Sequence, residues 1–274
     1  MYKLVALDLD MTLLNKDKKI STENIKAVQE AYNNGIYIVL CSGRILKGVL
    51  HFAKLLSIDH PIIGCNGAIV KDIKHDKEIF FMGIDKNSCT DIFEICKKEE
   101  IYFHYYTKNT MIACELNYSA KFYFEKNKEL PEEDRVEIII NDDIEYLYNN
   151  PEGVSKFVIT DNDPEKVDYV RSLIDKNVKD IETTKSDINI LEVMKKGVNK
   201  RKGLEKLCNY LGINREEVVA IGDNENDIEM IEFAGFGVAM GNAIDELKEK
   251  ADFITSNYWE DGVAEAIRYV LRGR

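Results

Sequence analysis

The sequence predicts an α/β fold with a parallel central sheet, interrupted by an inserted α+β segment. Three observations carry this. Short β-rich apolar runs recur along the chain, each followed by turn residues and a helical pattern, as buried parallel strands do when they alternate with helices. The helical stretches place apolar residues at i, i+3, i+4 and i+7. From about Gly83 to Ile190 the texture changes, with more charge, more tyrosine and hairpin-like stretches.

The apolar runs are Leu4 to Leu7, Ile36 to Leu40, Pro61 to Gly64, Val218 to Ile221, Gly237 to Met240 and Asp252 to Thr255. All six read as parallel strands. After Ser21-Thr22, the residues Ile25, Val28, Ala31 and Tyr32 mark one helix face; after Lys200, Leu204, Leu207, Cys208 and Leu211 mark another. Inside the insertion, Tyr102 to Tyr106 turns at Lys108-Asn109 into Met111 to Glu115, and Lys86 to Lys98 and Pro164 to Ile174 read as helices. The expected partition is residues 1–82 and 191–274 for the α/β core and 83–190 for the insertion. There is no internal repeat and no low-complexity tract.

Composition sets the class. With 274 residues, 45% hydrophobic and 31% charged, the chain can bury a sizeable core in one or two domains. A formal net charge of −12 argues against nucleic acid or an anionic membrane as partner, since both need basic patches. A small anionic substrate needs only a few local cations and stays open. The six cysteines form no C-x-x-C pair. Asp8 and Asp10 break the first apolar run, so it is no signal sequence, and no stretch of about 18 apolar residues exists to span a membrane. The expectation is a reduced, cytoplasmic protein, monomeric or a homodimer. The Asn117-Tyr118-Ser119 sequon reads as incidental.

Four clusters carry chemistry, each beyond the carboxyl end of an apolar run, where open α/β sheets bind ligands. In Asp8-Leu9-Asp10-Met11-Thr12, two carboxylates leave a hydrophobic strand two residues apart. Such a pair is either a strand-end turn or a site where a cation or proton offsets like charges. In Cys41-Ser42-Gly43-Arg44, Ser42 is placed to cap the helix through Ile45, Val49 and Phe52; the same geometry makes an anion site. Lys200-Arg201-Lys202 opens a helix, where cations oppose the macrodipole. That is either a solvated basic face or a lysine turned toward an anion. Gly222-Asp223-Asn224-Glu225-Asn226-Asp227 follows Val218 to Ile221, and no Lys or Arg stands between Arg215 and Lys248. Some of these acids cap or are solvated. As an EF-hand the segment fails, with Ile228 at the glycine position and Ala234 at the glutamate position; a hard cation that keeps some waters fits better and points to magnesium.

Together the clusters resemble the four motifs of the haloacid dehalogenase-like phosphohydrolases. Asp8-x-Asp10-x-Thr12 is similar to the first, Ser42-Gly43-Arg44 to the second, Lys200 in Gly197-Val198-Asn199-Lys200 to the third, and Gly222-Asp223-x-x-Asn226-Asp227 to the fourth. Asn66-Gly67-Ala68, Met240-Gly241-Asn242-Ala243 and Asn257 to Val263 resemble the Cof-like sugar-phosphatase branch, which inserts its cap between the second and third motifs. Met11 and Arg201 stand where that family often has Gly. The resemblance implies a Rossmannoid core with an α+β cap that sets specificity, and a Mg2+-dependent phosphatase acting on a small phosphorylated metabolite. It implies Asp8 as nucleophile, Asp10 as general acid and base, and metal held by the carboxylates of Asp8 and Asp223 and the carbonyl of Asp10, with Asp227 in support. It implies phosphate contacts from Ser42, Lys200 and the amides of Leu9 and Gly43, with Asn226 nearby. A phosphomutase, or a catalytically idle metabolite-binding protein, is the alternative; the intact Asp8 and Asp10 speak against idleness.

Other features carry less. Gly235-x-Gly237-x-x-x-Gly241 is not a dinucleotide fingerprint. His51, His60, His75 and His104 lack metal spacing. Asn66-Gly67 is first a turn signal. The aromatics from Tyr102 to Phe124 are expected to pack, with a substrate-facing wall as the second reading.

Overall fold

A computed structural model describes residues 1–149 and 153–273. In chain order the first part holds β1 (Leu4–Leu7), α1 (Thr22–Asn33), β2 (Tyr37–Leu40), α2 (Leu46–Leu55), β3 (Ile62–Gly64), β4 (Ile69–Asp72) and β5 (Lys77–Phe81). The middle holds α3 (Lys86–Lys98), β6 (Tyr102–Tyr106), β7 (Thr110–Ala113), α4 (Tyr118–Asn127), β8 (Glu137–Ile140), α5 (Ile144–Tyr148), β9 (Lys156–Thr160), α6 (Pro164–Asn177), β10 (Ile181–Asp187) and β11 (Ile190–Lys195). The last part holds α7 (Lys200–Leu211), β12 (Val218–Gly222), α8 (Ile228–Phe233), β13 (Phe236–Ala239), α9 (Asp245–Lys250), β14 (Phe253–Ile254) and α10 (Gly262–Arg272).

The chain divides into two compact units. One comprises Met1–Gly43, Val49–Phe80 and Asn199–Arg274. Its central sheet has the order β14-β13-β12-β1-β2, with every pairing parallel. β1 sits between β12 and β2, and its four residues are fully buried, as a strand covered on both faces must be. Local signals set the helices around it: Ser21 caps α1 by accepting from the Asn24 amide, and Asn199 caps α7 by accepting from the Lys202 amide.

The run Pro61 to Gly64 departs from the expectation of a parallel strand. β3 touches the end of β2 through one parallel bridge, Cys41 to Ile63, and otherwise pairs antiparallel with β4. The cause is the Asn66-Gly67 turn, where Cys65, Asn66 and Gly67 all take positive φ and reverse the chain. At Gly67 (φ +92°) a Cβ would lie 2.0 Å from the carbonyl oxygen of Asn199. The turn therefore presses against the start of α7. Gly67→Ala is expected to destabilise by about 2–4 kcal/mol, from strain and overpacking, and to displace Lys200. Thermal melting checks the first part and phosphate affinity the second.

The second unit comprises Arg44–Gly48 and Phe81–Val198. Its sheet has the order β10-β11-β9-β6-β7-β8. One face packs Phe103, Tyr105, Phe157, Ile159, Leu191 and Val193 into an apolar core with Ile92 and Phe93 of α3 and Val167 and Val170 of α6. The expected boundary at residue 191 is corrected here. β11 pairs with β9 and β10, so 191–198 belong to the inserted unit, because Leu191 and Val193 point into its core rather than that of the parallel sheet.

Candidate active site

Three carboxylates converge at the carboxyl ends of neighbouring strands. Asp8 follows β1, and its amide donates to the Ile221 carbonyl of β12 at 3.0 Å. Asp223 follows β12. Asp227 sits four residues on, and its Oδ2 accepts from the amides of Asp223 and Asn224 at 3.1 and 3.2 Å. Gly222 permits this fold-back, since a Cβ there would lie 2.5 Å from the Asp227 carboxyl carbon. Carboxylate oxygens of Asp8, Asp223 and Asp227 lie within 4.8 Å of one another, all three residues buried.

Lys200 enters this group from the first position of α7. Its ammonium donates to Asp8 Oδ1 at 2.5 Å and Asp227 Oδ1 at 2.6 Å, with 1% of the side chain exposed. Burial works against the lysine's charge, but Asp227 and Asp8 outweigh it and hold its pKa well above the ordinary value. The acids respond oppositely. Burial, reinforced by Asp227 and Asp10 and opposed by Lys200, pushes Asp8 up to about 7. Burial, with Asp8 and Asp227, lifts Asp223 well above the carboxylate range, although Thr12 donates to its Oδ1 at 2.8 Å. Three buried acids around one lysine leave an excess of negative charge. A divalent cation would neutralise it with oxygen ligands, the donor set that hard cations prefer. The residues therefore fit the expected metal.

Asp10 stands apart from this group. It is part-exposed, and Lys18 donates to its Oδ1 at 2.7 Å. Lys18 comes from a tight hairpin in which Leu14 bridges both Asp10 and Ile20 and the Lys18 amide donates to the Asn15 carbonyl. Nothing in the sequence marks Lys18, because its meeting with Asp10 depends on that hairpin. Met11 takes φ +63°, a conformation that costs a side-chain-bearing residue about 1–2 kcal/mol. This explains glycine as the usual residue there. Asn242 donates to the Met11 carbonyl at 3.0 Å and so steadies the loop; its only sequence signal is the Met240 to Ala243 resemblance.

Ser42 corrects an expectation. α2 begins at Leu46, too far on for Ser42 to cap it. Instead the Ser42 amide donates to the Ile63 carbonyl and its carbonyl accepts from the Asn66 amide. Ser42 is 2% exposed, and Gly43 follows it on the same loop. Asn226 donates to Asn66 Oδ1 at 3.3 Å, tying the fourth cluster to the Asn66-Gly67 turn. Leu9 is fully buried, and its carbonyl accepts from the amides of Thr12 and Leu14. Arg201, beside Lys200, lies over the Phe233 ring at 5.8 Å.

Comparison with known proteins adds to this geometry. A family described as haloacid dehalogenase-like hydrolase matches residues 5–267. The chain is 34% identical over 273 residues to the 5-amino-6-(5-phospho-D-ribitylamino)uracil phosphatase YcsE of Bacillus subtilis, covering 97% of this chain and 95% of that protein. It is 30% identical over 277 residues to YitU of the same organism, which has the same printed activity, covering 97% and 96%. A solved structure of a haloacid dehalogenase-like hydrolase from Bacteroides thetaiotaomicron superposes with a TM-score of 0.83 at 31% identity, covering 98% of this chain and all of that one.

Proposed function

The chain belongs to the haloacid dehalogenase-like hydrolases and is a phosphatase; we propose that it is magnesium-dependent, works through an aspartyl-phosphate on Asp8, and releases phosphate from a small hydroxylated metabolite. One observation carries the reading. Asp8 lies beside Lys200, with Asp223 and Asp227 close enough to share a cation. The relatives' printed substrate, a phosphorylated ribityl compound, supports a phosphorylated polyol or sugar.

Asp8 attacks phosphorus while Asp10 gives a proton to the departing oxygen. Asp10 then takes a proton from the water that opens the aspartyl-phosphate, and both groups return to their starting state. Ser42, Lys200 and the amides of Leu9 and Gly43 hold the phosphate oxygens, with Asn226 beside them. The carboxylates of Asp8 and Asp223 and the carbonyl of Asp10, backed by Asp227, would hold Mg2+, which supplies positive charge against the transferring phosphoryl group. The inserted unit is the cap and reads the leaving group, since the other residues address only phosphate and metal. The six free cysteines, five of them buried, suit a reducing cytoplasm. No described helix is long and apolar enough to cross a membrane.

Phosphate release from p-nitrophenyl phosphate tests the activity. Turnover is expected with magnesium, to vanish with excess chelator, and to be inhibited by calcium, which takes more ligands and would blunt Asp8 as a nucleophile by drawing on both its oxygens. Full turnover in chelator, or calcium serving as well as magnesium, refutes the metal assignment. Magnesium at about 100 times its Kd should also raise the melting temperature by roughly 5–10 °C. At one fixed magnesium concentration the rise is expected to be larger at pH 8 than at pH 5. Asp8, raised to about 7 without metal, keeps its proton at pH 5 and must lose it to bind the ion.

A further inference from the structure

We propose that Lys18 is a positioning residue: its ammonium fixes the carboxyl group of Asp10 in the orientation from which Asp10 transfers protons. This rests on the phosphatase reading above, in which Asp10 is the general acid and base, and adds a residue to that role.

Lys18 owes its place to a hairpin built by local bonds. The Asn15 amide donates to the Lys19 carbonyl at 3.0 Å, and the Lys18 amide to the Asn15 carbonyl at 2.9 Å. Asn15 Oδ1 accepts from the amides of Asp17 and Lys19, both at 3.0 Å. Lys16, Asp17 and Lys18 thus form the loop. In hairpin loops of this length the last residue is commonly left-handed, a place that suits glycine. Lys18 takes it, at φ +57°. The hairpin is also anchored to Asp10. Leu14, fully buried, bridges both Asp10 and Ile20, and its carbonyl accepts from the Met11 amide at 3.1 Å. The loop and the Asp10 backbone are therefore tied together.

Magnitudes decide what the lysine is for. A left-handed conformation is costly for any residue with a Cβ. The ion pair joins Lys18 Nζ to Asp10 Oδ1 at 2.7 Å, with 39% and 35% of the two side chains exposed, and a pair so exposed contributes little to stability. Stability therefore gives no reason for lysine over glycine at this position. Backbone strain of this kind gathers at functional sites, where the surrounding structure holds it in place. What the lysine supplies is direction. The terminal torsion of an aspartate is broad, and a cation bonded to one oxygen selects one setting. A general acid must stand within hydrogen-bond reach of the atom it protonates, and misplacement by an ångström costs heavily in rate. Lys18 takes Oδ1, so the proton passes through Oδ2. That oxygen gives its proton to the departing oxygen as the phosphorus–oxygen bond breaks, and later takes one from the water that opens the aspartyl-phosphate. The lysine stays charged throughout and does not touch the substrate.

The test compares phenyl phosphate with p-nitrophenyl phosphate. Phenolate is as basic as a tyrosine side chain and leaves well only with a proton, whereas p-nitrophenolate leaves without one. Single-turnover release at saturating substrate and magnesium reports the first step alone. Lys18→Gly and Lys18→Asn remove the ammonium and suit the left-handed position. In both, release from phenyl phosphate should fall about tenfold or more, and release from p-nitrophenyl phosphate by less than about threefold. Their melting temperatures should stay within about 3 °C of the wild type or rise. Lys18→Arg, with a cation on a partly exposed arm, should recover most of the phenyl phosphate rate. In the Asp10→Asn background Lys18→Gly should cost nothing further, because a positioning residue has no effect without the group it positions. Equal losses on the two substrates, no loss on either, a further loss in the Asp10→Asn background, or a larger fall in melting temperature each overturn the assignment. A wild type that releases neither phenol with magnesium refutes the phosphatase reading itself, and the role of Lys18 with it.

Discussion

Asp8→Asn is expected to abolish turnover of every substrate and yet to stabilise the metal-free protein. The amide is a poor nucleophile and a weaker metal ligand, so neither an aryl nor a sugar phosphate should give a burst of product. Stability moves the other way because the wild-type carboxylate is buried among like charges. Its folded pKa, about 7, exceeds the unfolded value near 4. The folded state therefore holds a proton that the unfolded state has lost, and folding weakens as pH rises between these values. The gain in melting temperature should be largest above pH 7 and shrink toward pH 4. Asp10→Asn should behave differently. Loss of general acid–base catalysis costs about 10²–10⁴-fold, and least for p-nitrophenyl phosphate, whose leaving group needs no proton. Single-turnover kinetics should show a phenolate burst and then slow turnover. A normal burst from Asp8→Asn, or inversion at a chiral phosphate, refutes a covalent intermediate on Asp8.

Lys200→Met should give the largest loss of stability. The substitution strands Asp8 and Asp227 in the interior without the ammonium that both contact. Breaking a buried pair in this way costs about 3–5 kcal/mol, or roughly 6–20 °C in melting temperature for a chain of this size. Magnesium should restore much of that stability, since it would supply positive charge to the same carboxylates, but not the activity, since the proposed phosphate contact is gone. Lys200→Arg should rescue neither, because the planar guanidinium does not reproduce the compact ammonium that contacts both Asp8 and Asp227 in the interior. Magnesium rescue of activity in Lys200→Met would remove Lys200 from phosphate binding.

The convergence of Asp8, Lys200, Asp223 and Asp227 was legible because each is fixed locally. The three aspartates follow apolar runs that became β1 and β12, and Lys200 opens a helix with a clear N-cap. What escaped depends on register or on turns. Ile190 to Lys195 is not among the apolar runs the sequence marks, and only its pairing with β9 shows that Glu192 turns away from the apolar core and meets Lys156. Pro61 to Gly64 has the composition of a parallel strand, but three consecutive positive φ angles turn its successor back on it. The Asp10–Lys18 contact follows from a hairpin that no apolar periodicity announces. His104 was visible only as a histidine without metal spacing; its burial follows from its place between two tyrosines on β6.

The position of β1 between β12 and β2 also governs how the protein is made. Leu4 pairs with Val218, so one edge of β1 waits for a partner about 210 residues downstream. At roughly 5–20 residues per second, synthesis reaches that partner some 10–40 s later. Throughout that interval an apolar strand of four residues has β2 on one side and an unpaired edge on the other, the kind of edge that invites aggregation. The inserted unit has a core of its own and can fold in the meantime. Asp8 and the strand that delivers Asp223 therefore meet among the last events of folding. Chaperone dependence and yield on fast expression should track the closing of this seam rather than the stability of the finished molecule.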